Sequence, residues 1–198
     1  ADERYGMIPA FLDGVAAEGK WYFAEVPAST KVWVGKPKIE SPGAGPMGRP
    51  RTHPRVVAGE PQAAEVRQIA ARLPARAWRR YTIKEGSKGP IEADFAFVRV
   101  TRPRRGRPGL AGWLVLRRSL EEQPMVKFFL SNAPVSCTRV ALVRVCGLRW
   151  PVETALEEAK GELGMVHYET RMWRGWHHHM TQTFLAHHFL VRMRLTLK

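Results

Sequence analysis

Leu148-Arg149-Trp150-Pro151-Val152-Glu153-Thr154-Ala155-Leu156-Glu157-Glu158-Ala159-Lys160 is the stretch around which the rest of the chain is organised. Pro151 suits the first position of a helix, where its missing N–H leaves no hydrogen bond unmade. From there Glu153, Glu157 and Lys160 follow at spacings of four and three residues, along one side of that helix. Arg149 stands one helical step before Glu153. The outcome is a carboxylate between two cations, beside apolar residues that must be buried. On spacing alone such a stripe is a solvated surface pair, worth about a few tenths of a kcal/mol. Whether Glu153 does chemistry depends on what surrounds it in the chain.

The whole chain has 198 residues, enough for one large domain or one domain with an inserted subdomain. Its 44% hydrophobic content supports a core and excludes a disordered chain. Charge is the strongest global signal: 32 Lys+Arg against 18 Asp+Glu give a net charge of +14 and a pI near 10.6. Such an excess favours a polyanion, because each neutralised phosphate releases counterions. An anionic membrane is the competing partner. The cations, however, are not gathered on one amphipathic helix, and no apolar run approaches the roughly 20 residues of a membrane span. Arginine outnumbers lysine, which suits bidentate phosphate contacts. Cys137 and Cys146 have no metal-type spacing and no secretory context, so they read as reduced thiols of an intracellular protein. No signal peptide pattern is present. The opening Ala1-Asp2-Glu3 reads as the middle of a fold, so the chain is expected to be part of a longer polypeptide.

In chain order, residues 7–18 read as a short helix, and Trp21–Pro27 and Lys31–Val34 as strands. From 35 to 61 proline, glycine and arginine crowd out apolar residues, as in a basic loop or linker. Gly48-Arg49-Pro50-Arg51 there, and Arg105-Gly106-Arg107-Pro108 later, resemble minor-groove hooks and equally suit plain basic loops that touch phosphates. Ala63–Leu73 has helical periodicity. Glu92–Val100, Gly112–Arg117 and Val126–Leu130 read as strands of an antiparallel meander. An apolar helix from Val140 to Leu148 feeds the Arg149–Lys160 stretch, Gly161–Tyr168 breaks it, and Trp176–Leu197 forms a last helix.

Arg149, then three residues, Glu153, then six residues, and Lys160 resemble the Tyr-Arg-Glu-Lys signature of DDE-type insertion-sequence transposases. Ala1-Asp2-Glu3-Arg4-Tyr5-Gly6 resembles that family's second catalytic aspartate. Glu158-Ala159-Lys160-Gly161-Glu162-Leu163-Gly164 and Gly175-Trp176-His177-His178-His179 are similar to one transposase subgroup. The resemblance implies an α/β (α+β) chain: a truncated RNase H-like core with a mainly β insertion subdomain and C-terminal helices. Residues 1–30 would be partial core, 31–135 the insertion with its basic loop at 35–61, and 136–198 the helical end of the core. It further implies that Asp2 and Glu153 are metal ligands and catalytic carboxylates, with Arg149, Lys160 and Trp150 binding DNA. In the complete protein two Mg²⁺ (or Mn²⁺) ions about 4 Å apart would activate the attacking oxygen and stabilise the leaving one, and hard oxygen ligands suit them. Implied partners are double-stranded DNA, as transposon ends and target, and further copies of the chain in a synaptic complex. A cytoplasmic, nucleoid-associated protein follows, with no membrane partner.

Two departures stand out. Cys146 occupies the signature tyrosine position, and the family's first aspartate has no counterpart ahead of Asp2. The other aspartates are Asp13, in a helical surface stretch, and Asp94, on an expected strand. The chain alone is therefore expected to be inactive or severely impaired. The alternatives are a basic nucleic-acid-binding remnant that holds DNA without cutting it, and a basic RNA-binding structural protein. His177-His178-His179 with His187-His188 suggests a metal site, but no Cys or carboxylate completes a tetrahedral set; a helix lying on DNA or packing the Glu153 helix suits them better. Trp113 and Trp150 suit either base stacking or core packing. Glu157 and Glu158 read as solvated charges, with Glu157 close enough to support Glu153.

Overall fold

The computed structural model describes residues 3–41, 53–86, 89–104 and 107–197, with backbone alone at 86 and 149–152. The chain forms two compact units, Ala1–Cys146 and Gly147–Lys198.

The first unit opens with helices α1 (Glu3–Gly6) and α2 (Pro9–Ala17), then strands β1 (Phe23–Val26) and β2 (Lys31–Val34). A small two-stranded ribbon follows, β3 (Ile39–Glu40) against β4 (Arg55–Val56). Strand β5 (Ala64–Glu65) leads into helix α3 (Val66–Arg72). Four longer strands, β6 (Arg79–Gly86), β7 (Gly89–Arg104), β8 (Arg107–Arg118) and β9 (Val126–Ser131), precede helix α4 (Arg139–Gly147). The main sheet runs β1-β9-β8-β7-β2-β5, with β6 also on β7. Every pairing is antiparallel.

Side-chain alternation along these strands explains why the sheet is covered on both faces. Ala96, Val100, Leu114, Leu116, Phe128 and Leu130 point to one core, completed by Leu12 of α2 and by Val66 and Ile69 of α3. Phe95, Val115 and Phe129 point to another, completed by Leu142 and Val143 of α4. Phe95, Leu114, Val115 and Leu116 are fully buried.

This mixed α/β chain, with an antiparallel sheet and C-terminal helices, has the expected class. Its details differ in instructive ways. The first helix begins after a separate turn of helix, α1. The described ends of the 35–61 stretch pair as β3 and β4, with Arg55 and Glu40 joined at 2.8 Å. Gly48-Arg49-Pro50-Arg51 lies outside the described residues, as do Arg105 and Gly106, while Arg107 and Pro108 begin β8.

The second unit holds helices α5 (Arg149–Glu162) and α6 (Trp173–Thr196). The expected continuous helix from Val140 is two, with Leu148 between them. Pro151 sits at the third position of α5 rather than the first, which still lies in the turn whose N–H groups lack helical partners. Leu163 closes α5, Gly164 adopts a left-handed φ of 66°, and the Met165 N–H donates back to the Ala159 carbonyl at 3.0 Å.

Candidate active site and nucleic-acid interface

In the first unit, α1 is fixed by Gly6, which lies against β1 so closely that a Cβ there would run into the Glu25 carbonyl oxygen. Asp2 immediately precedes α1 but lies outside the described residues. The remaining two aspartates are engaged structurally. Asp13 accepts from Arg102 Nη2 at 2.8 Å and Arg104 Nε at 2.6 Å. Asp94 accepts from Arg80 Nε at 3.2 Å and Arg118 Nη2 at 3.0 Å, and the Arg118 guanidinium lies 4.4 Å over the Trp78 ring. Burial works against ionisation of Asp94, but the hydrogen bonds from Arg118 and Arg80 outweigh it and hold the carboxyl below its ordinary range. Trp113 packs beside the second core and donates from Nε1 to the Pro134 carbonyl at 3.2 Å. Cys137 and Cys146 are free thiols, and burial pushes Cys146 up.

In the second unit, Glu153, Glu157 and Lys160 occupy exposed positions of α5, whereas Ala159 is buried. Arg149 and Trp150 lie in the first turn of α5, with their side chains outside the described residues. Glu158 is not the solvated charge the sequence suggests. It accepts from His187 Nε2 and from Arg194 Nη1, both at 3.0 Å, and so ties α5 to α6. The hydrogen bond from His187, then that from Arg194, holds its carboxyl below the ordinary range. His179 Nε2 lies 3.0 Å from the Gly164 carbonyl. Two of the five clustered histidines thus pack α6 within its own unit. Among the described residues no group of three or more His, Cys, Asp or Glu is placed to hold a metal ion.

One feature escaped the sequence. Helix α6 begins at Trp173, three residues before the expected Trp176, and the two indoles stack at 5.2 Å between centroids and 11° between planes. His177 stands perpendicular to both, at 4.3 and 5.0 Å. The signal was the i, i+3 spacing of the tryptophans across Gly175, a residue that reads as a helix breaker and here lies inside the helix.

Residues 1–90 match the family model of the DDE superfamily endonucleases. That superfamily includes the DDE-type transposases. Among curated proteins none matches the chain. The superfamily implies an RNase H-like fold, a DNA substrate and divalent metal ions as cofactors. The matched segment takes in Asp2 and ends before α5. No helix among the described residues is long and apolar enough to cross a membrane.

Proposed function

We propose that this chain is the C-terminal part of a DDE transposase, carrying two of the three carboxylates, Asp2 and Glu153, that hold a pair of Mg²⁺ or Mn²⁺ ions. Arg149, Lys160 and Trp150 grip the DNA beside them, the cations by pairing with phosphates. When bound, the metal pair supplies an activated oxygen nucleophile and stabilises the leaving oxygen. Residues 31–135 form an inserted, mainly β subdomain, with 1–30 and 136–198 belonging to the core. The division comes from the resemblance, and what supports it is the pairing of β1 with β9, in which Phe23 lies opposite Ser131. β9 is the last strand of the 31–135 stretch, so this pairing brings the far end of the stretch back beside the strand that precedes it.

Asp13 and Asp94 are each committed to two arginines, so neither is free to serve as the remaining carboxylate. The 198 residues alone therefore bind DNA and do not cut it. Self-association in a synaptic complex fits the exposed Leu185, Phe189 and Met193 along α6, and the charge of +14 fits a place on the nucleoid. The same aspartate–arginine pairs favour the second reading, a basic DNA-holding remnant without catalysis. Mixing the chain with duplex DNA in Mg²⁺ across a salt series tests both. The expected result is binding that falls steeply with salt, without strand cleavage. Mg²⁺-dependent cleavage would contradict the incomplete site, and absence of binding at low salt would contradict a DNA-acting protein.

A further inference from the structure

The start of α6 presents an aromatic surface that neither the carboxylates nor the sheet accounts for. Trp173 keeps 71% of its surface exposed while stacked on Trp176, and Met172 beside it is 72% exposed. A shallow cleft of about 330 Å³ adjoins them, lined by Tyr168, Thr170, Arg171, Met172, Trp173 and Trp176. Arg171 and Arg174 flank the pair, both exposed. Beyond Glu169, between the cleft-lining Tyr168 and Thr170, the charge has one sign: from Arg171 to Lys198 the sequence has no Asp or Glu.

Met172 and Trp173 together form a contiguous exposed apolar patch, of the kind that marks an interaction surface. The chemistry on offer selects the partner. Parallel flat indoles accept another flat π-system, guanidinium groups accept phosphates, and the scarcity of carboxylates along α6 limits repulsion of a polyanion. An acidic protein would satisfy the arginines but leave the stacking surface unexplained. Paired bases hide their faces from side chains, so a duplex reaches only the arginines. We propose that Trp173, backed by Trp176 and flanked by Arg171 and Arg174, is a stacking platform for unpaired bases of a DNA strand. This rests on the DNA-acting reading above and adds to it the class of DNA that α6 receives: frayed or single-stranded ends. No base-specific contact is required, so the platform accepts a strand of any sequence.

The test uses the full chain, a fluorescent thymine oligonucleotide of about 16 nucleotides and a duplex of equal length. Trp173→Ala is expected to weaken single-strand binding by about tenfold or more, the range that follows from loss of one stacked base, while duplex binding changes less than about twofold. Trp173→Phe, which keeps a π-face, restores most of the single-strand affinity. Trp173 is exposed, so neither variant disturbs the core, and unchanged duplex affinity reports that the fold is kept. Equal single-strand affinity for Trp173→Ala and the parent chain would overturn the platform and leave the DNA-acting reading intact. So would equal losses on the two DNAs. A parent chain that binds neither DNA would overturn that reading, and the platform with it.

Discussion

The two units of this chain are stabilised by different means. The sheet unit buries both faces of its strands, with Phe95, Leu114, Val115 and Leu116 fully inside. The helical unit buries only Ala159 and Met165 among its described apolar side chains, keeps Phe184, Leu185, Phe189 and Leu195 of α6 exposed, and is tied by Glu158 to His187 and Arg194 and by His179 to Gly164. Burial of apolar area is worth far more than exposed ion pairs. The sheet unit is therefore the more stable of the two, while the helical unit, which carries Glu153, Lys160 and Trp173, has the smaller apolar core.

The largest expected effect lies in the sheet unit. Phe95→Ala should cost about 3–5 kcal/mol, read as a lowered midpoint in urea unfolding followed by near-UV circular dichroism. A loss confined to fractions of a kcal/mol would erase the contrast between units. Gly6→Ala comes next. Its methyl group meets the backbone of β1, which cannot retreat as a flexible side chain can, so a loss of about 1–3 kcal/mol is expected by the same measurement. The smallest effect concerns the helical unit. Glu158 has a folded pKa below its unfolded value near 4.3, so its contribution is complete above that value and fades as pH falls through the folded one. Amide exchange in α6 should therefore quicken on acidification through that window, and Glu158→Gln should be fast already at neutral pH. Equal exchange in the variant and the parent at neutral pH would remove Glu158 as the tie.

How much of this was legible follows from the range of the interactions. The strand interiors were readable because alternation is local: Gly112–Arg117 lies inside β8 and Val126–Leu130 inside β9. The ends were not, because Arg104 and Arg107 join the sheet through hairpin register rather than apolar pattern. Asp13 read as a surface acid because its partner Arg102 lies 89 residues away, and Glu158 likewise because His187 lies 29 residues away. No periodicity reports such pairs. The start of α5 moved two residues ahead of Pro151 because proline is tolerated throughout the first turn, not at one position. The spacing of Arg149, Glu153 and Lys160 was readable at once, whereas the placement of Asp2 lies outside the described residues.

Binding of Mn²⁺, followed by loss of its free-ion paramagnetic resonance signal, tests the central claim most directly. The account predicts that a longer polypeptide carrying the third carboxylate takes up Mn²⁺, and that Asp2→Asn and Glu153→Gln in it each abolish the uptake, because both carboxylates serve one site. Uptake that survives Glu153→Gln undiminished would contradict it.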